Sequence, residues 1–103
     1  MDPSQTPPTA TTATLTVLLP TELQSRAGGR RVVPAAGATV REVIDALERD
    51  HPGLRFALCH ETGELRPFVN IFVNGANVRY ARGLETPVPA GATMHVLPSV
   101  AGG

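Results

Sequence analysis

The chain has 103 residues, enough for one small domain and too few for two independent cores. Nine arginines balance nine acidic residues, with no lysine, so no net charge draws it to nucleic acid or to an anionic membrane surface. One cysteine, Cys59, excludes an intramolecular disulfide and is what a reducing cytoplasm would lead one to expect.

Residues 1–12 are polar and proline-rich, with neither the basic start nor the apolar core of a secretory signal. They cannot bury enough apolar surface to offset their ordering entropy, so they read as a disordered tail before a domain over 13–98. No later stretch is long and apolar enough to span a bilayer, and the expectation is a soluble, cytoplasmic protein. From Ala13 to Leu19 the residues alternate, with Leu15, Val17 and Leu19 on one face, which predicts a half-buried strand ended by Pro20. After Gly28-Gly29, the run Arg30 to Val33 is expected to return as the second strand of an antiparallel hairpin.

Thr39-Val40-Arg41-Glu42 has the form of a capping box, and Val40, Val43, Ile44 and Leu47 recur at helical spacing behind it. The helix they predict lays one apolar stripe on a sheet and stops at His51-Pro52-Gly53. Over 54–67 the pattern is mixed; Leu54, Phe56 and Leu58 are expected to pack under a loop, with an exposed turn at Thr62-Gly63-Glu64. Phe68 to Asn74 alternates again, and Asn74-Gly75 predicts a tight hairpin into Val78-Arg79-Tyr80. Pro87 to Gly91 supply a turn, and Thr93 to Leu97 read as the last strand. The order is β-β-α-β-β-β, an α+β fold with one main helix crossing a mixed sheet.

The residues that could carry chemistry inside the domain do not assemble into a catalytic set. His51, Cys59, His60 and His95 lack the repeated close pairs of a zinc site, so no metal is expected. Cys59 and His60 are sequence neighbours with no third group to orient them, which favours a structural cysteine. Gly28-Gly29 precedes neither a lysine nor a helix start, unlike a phosphate-binding loop. The acidic residues Glu42, Asp45 and Glu48 share the solvated side of the helix.

The chain ends Val100-Ala101-Gly102-Gly103. Two terminal residues without Cβ make an unhindered tail that can thread a narrow channel and present the Gly103 carboxylate to a reaction partner. From Ser99 such a tail spans about 15 Å when extended. Strand alternation turns Val69, Ile71, Val73, Met94 and Val96 inward, and Phe72, His95 and Leu97 outward. Those three residues, close to the tail, form a candidate surface on which a partner docks.

Phe68-Val69-Asn70-Ile71-Phe72-Val73-Asn74-Gly75, the Val88-Pro89-Ala90-Gly91 turn and the ending Val96-Leu97-Pro98-Ser99-Val100-Ala101-Gly102-Gly103 resemble the ThiS/MoaD family of ubiquitin-like sulfur carrier proteins, and within it the CysO-type branch. The resemblance implies a ubiquitin-like β-grasp fold and a protein cosubstrate rather than an enzyme. It implies a ubiquitin-activating-type partner that consumes ATP to adenylate Gly103, a sulfurtransferase or other sulfur donor that converts the acyl-adenylate to a thiocarboxylate, and a sulfur-accepting biosynthetic enzyme. No bound cofactor is expected. Related functions that use the same fold and tail are a protein modifier linked to target lysines and the small subunit of molybdopterin synthase; a binding module with an inert tail is the fourth possibility. The missing lysines fit a GC-rich genome, and they also leave an activated Gly103 no side-chain amine on its own chain to acylate.

Overall fold

The structure, a computed structural model, describes residues 14–98. The expected N-terminal tail and the C-terminal residues Val100, Ala101, Gly102 and Gly103 lie outside the described residues. Strand β1 (Thr14–Leu18) is followed by a one-turn helix α1 (Thr21–Gln24) and a 3-10 turn (Ser25–Ala27), then by β2 (Val32–Ala36). The main helix α2 (Val40–Asp50) and the short α3 (Leu54–Leu58) precede β3 (Val69–Val73), β4 (Ala76–Asn77) and, after two 3-10 turns, β5 (Thr93–Pro98). The sheet order is β2-β1-β5-β3-β4, with β1 and β5 parallel and the other neighbours antiparallel. This is the expected α+β order, a mixed sheet crossed by one main helix.

Alternation in the strands and the helical stripe in α2 meet in one core. Leu15 and Val17 from β1, Val33 from β2, Ile71 from β3 and Met94 and Val96 from β5 pack with Val40, Val43, Ile44 and Leu47 of α2. The N-terminus of α2 is capped as expected, the Thr39 hydroxyl accepting from the Glu42 N–H at 3.3 Å. The Glu42 carboxylate, however, accepts from the Ala38 N–H at 2.8 Å, one residue before the cap. It therefore ties the incoming loop rather than closing the reciprocal box.

Three further expectations change in detail. The second strand is Val32–Ala36, not Arg30 to Val33. It accommodates Pro34 because Leu19 N–H donates to the Arg31 carbonyl, which sets 31, 33 and 35 toward β1 and turns the Pro34 nitrogen to the open edge. Over 54–58 the chain is helical, so Leu54 and Leu58, four residues apart, are buried while Phe56 is 61% exposed on the other side. The β3–β4 hairpin forms on Asn74-Gly75, both at positive φ, but its second strand ends at Asn77. There the Asn77 side chain accepts from the Arg79 N–H, winding Val78–Tyr80 into a 3-10 turn that buries Val78 and leaves Tyr80 exposed.

The parallel pairing of β1 with β5 fixes where the tail begins. Val69 and Pro98 are register partners, so the chain leaves β5 at the end of the sheet where β1 finishes and β2 and β3 start.

Candidate functional site

On the face of the sheet away from α2, β3 and β5 place Phe72 opposite His95 and Asn70 opposite Leu97. Their inward neighbours Ile71, Met94 and Val96 are essentially inaccessible, so the pleat leaves the alternate side chains no choice but the outer face. Phe72 is half-buried, and His95 and Leu97 are exposed, the latter at 37%. All three line one shallow groove of about 510 Å3 together with Asn74, Gly75 and Thr93. The outward phase expected from alternation is thus observed for all three residues, which share one surface.

Asn74 holds one end of this groove. Its N–H donates to the Thr93 carbonyl at 2.9 Å, and its side-chain oxygen accepts from the Thr93 N–H at 3.0 Å. The turn is thereby fastened to the strand that leads to the tail. The outward positions of β1, β2, β3 and β5 are occupied by Thr, Leu, Val, Pro, Ala, Asn, Phe and His, with no aspartate, glutamate or arginine among them. In a chain that is 17% charged, this face can be dried by a partner without the large cost of desolvating an ion.

One apolar residue escaped notice at the sequence level. Phe68 is 56% exposed and stands immediately before β3, in the turn that the Val69 N–H closes on the Arg66 carbonyl.

The other polar candidates separate. Cys59 is buried in the core, and burial pushes its thiol up despite the opposing charges of Arg41, Arg55 and Arg66, which is the reverse of an activated nucleophile. His60 is exposed beside it, so the two do not form a nucleophile and base. Among the described residues no three His, Cys, Asp or Glu side chains gather as a metal site would require. Glu48 on α2 is occupied structurally, accepting from the N–H groups of Gly53 and Arg55 at the start of α3. No helix among the described residues is long and apolar enough to cross a membrane.

The sequence matches the ThiS family over residues 17–103. The chain belongs to the ThiS family. It is 41% identical over 91 residues to the sulfur carrier protein CysO of Mycobacterium tuberculosis, covering 86% of this chain and 98% of that protein. The fold agrees equally well. A chain in the crystal structure of the Amycolatopsis orientalis BexX/CysO complex superposes with a TM-score of 0.81 at 45% identity, over 86% of this chain and 99% of that one. Small archaeal modifier protein 1 of Methanosarcina acetivorans superposes with a TM-score of 0.77 at 31% identity, over 89% and 98% of the two chains. These matches make the domain a ubiquitin-like β-grasp, and this ThiS-family chain is CysO-like, a small protein of carrier type rather than an enzyme.

Proposed function

We propose that this protein carries sulfur as a thiocarboxylate on Gly103. A ubiquitin-activating-type enzyme joins the Gly103 carboxylate to AMP from ATP and releases pyrophosphate. The mixed anhydride turns an inert carboxylate into an acyl group with a good leaving group. Hydrosulfide then attacks the acyl carbon, or the terminal sulfur of a sulfurtransferase persulfide does so and a second thiol reduces the resulting S–S bond; AMP departs, and a C–S bond replaces the C–O bond to the nucleotide. An accepting biosynthetic enzyme takes the sulfur into cysteine or another sulfur-containing metabolite. ATP is consumed by the partner, and the carrier needs no bound cofactor of its own.

The observation that carries this reading is the family match over residues 17–103, which takes in Gly103. The uncharged groove at Phe72, His95 and Leu97 serves as the docking surface for the adenylating enzyme, beside the strand that feeds the tail. Incubation with that enzyme, ATP and a sulfide source should shift the intact mass by one oxygen-to-sulfur exchange. Deleting Gly103 should abolish both this shift and ATP-pyrophosphate exchange while the domain stays folded; undiminished exchange in the truncated chain would refute the reading. Gly102→Val should impair activation too, because a branched Cβ widens the tail and restricts its backbone.

The likeness to small archaeal modifier proteins supports a second reading, in which the same activated Gly103 forms amides with target lysines. Target-linked conjugates in cells, with no thiocarboxylate on the free chain, would favour it.

A further inference from the structure

The end of the sheet where the chain leaves β5 carries most of its cations unpaired. Arg79 donates from Nη2 to the carbonyl oxygens of Val69 at 2.7 Å and Arg66 at 2.5 Å, and Val69 is the register partner of Pro98. The Arg66 guanidinium lies over the Phe56 ring, 4.8 Å from its centroid, and donates to the Phe56 carbonyl. Both guanidinium groups bind neutral acceptors and neither is in an ion pair among the described residues, although Glu61 lines the same surface pocket as Arg66, and Glu64 and Glu85 the same one as Arg79. Across the tail's point of departure, Arg30 and Arg31 lead into β2, exposed and without an ion pair among the described residues. The arginines that do pair with carboxylates sit elsewhere, Arg41 with Glu85 and Arg55 with Asp45. Four arginines, Arg30, Arg31, Arg66 and Arg79, lie on the segments that build this end of the sheet, and the acidic residues nearest to them in the chain or in a shared pocket are Glu22, Glu61, Glu64 and Glu85.

We propose that Arg30, Arg31, Arg66 and Arg79 form a cationic collar round the root of the tail, and that its partner is an acid-rimmed channel mouth on the adenylating enzyme. This rests on the functional reading above and adds the charge of the surface into which the tail inserts. The division of labour is physical. The uncharged outer face supplies area that can be dried cheaply, whereas the collar supplies a directed field on a chain with zero net charge. A dipolar carrier of this kind is turned, as it approaches, so that its tail leads. Charges at the rim of an interface act mainly on orientation and on the association rate, and they are screened by salt.

The side chains of Arg30 and Arg31 make no hydrogen bond or ion pair among the described residues, and a substitution leaves their backbone bonds in place, so they are the positions to change. Arg30→Gln/Arg31→Gln should unfold at the same temperature as the parent. At low ionic strength it should bind the adenylating enzyme about tenfold more weakly, through slower association, and its affinity should vary less with salt. Arg30→Lys/Arg31→Lys should restore both. Equal affinity and equal salt dependence for the parent and the glutamine variant would overturn the collar. So would unchanged binding with a lower maximal rate of ATP-pyrophosphate exchange, since the charge would then serve the nucleotide. Exchange by the parent chain is measured first; a parent that is never adenylated removes the functional reading and the collar with it, whereas the other outcomes touch the collar alone.

Discussion

Leu97 follows the fully buried Val96 and precedes the exit residue Pro98, and strand alternation leaves it 37% exposed on the outer face. With Phe72 it lines the groove that Asn74, Gly75, Thr93 and His95 complete. Leu97→Asp is expected to leave thermal stability close to that of the parent, because the side chain is outside the core. Binding to the adenylating enzyme should weaken by about 1 to 3 kcal/mol, the range for an interface anchor, and titration calorimetry of the pair measures it. A collapse in stability with binding intact would reverse the assignment of the face. The outward phase of Phe72, His95 and Leu97 was legible from alternation alone. The exposure of Phe56 was not, since 54–58 could be read as alternating until the helix revealed a four-residue repeat.

At the level of elements, the junction from β2 into α2 has no room for a side chain at Gly37. A Cβ on Gly37 would stand 2.8 Å from the Val43 nitrogen and 2.9 Å from the Glu42 carbonyl carbon, both backbone atoms that cannot swing aside. The close approach lets Ala38 N–H reach the Glu42 carboxylate and Thr39 cap the helix. Gly37→Ala should therefore destabilise the domain by about 1 to 3 kcal/mol, the cost of overpacking, and denaturant unfolding reads it directly. An unchanged midpoint would mean that the joint relaxes freely. The capping motif and the apolar stripe of α2 were plain in the sequence because both are local patterns. The short β4 was not, because the Asn77 side chain competes with the ladder for the backbone N–H of Arg79.

For the molecule as a whole, the lack of lysine has a chemical consequence under the proposed adenylation of Gly103. An amine attacks an acyl-adenylate at the carbonyl carbon, expels AMP and leaves an amide, whereas a guanidinium stays protonated and does not. The structure refines where to test this. Arg79 binds two carbonyls and Arg41 pairs with Glu85 at 2.7 Å, so lysine at either site also disturbs packing. Arg30 and Arg82 carry no side-chain hydrogen bond or ion pair among the described residues and are cleaner choices. Arg30→Lys and Arg82→Lys chains, activated without a sulfur source, should accumulate amide-linked species that intact-mass spectrometry detects. If they remain as monomeric as the parent, the absence of lysine reflects genome composition alone.

The sequence by itself determined the order of strands and helix, the inward and outward phase of β3 and β5, and the diglycine ending, since periodicity, caps and termini are written in neighbouring residues. It also contained the family likeness, which the match over 17–103 bears out. Only the tertiary structure decided that β1 and β5 run parallel at the centre of the sheet. That pairing joins residues almost eighty positions apart by backbone hydrogen bonds that no local pattern encodes. It brings the start of β2 and of β3 to the end where the chain leaves β5, and so turns arginines scattered along the sequence into one charged surface.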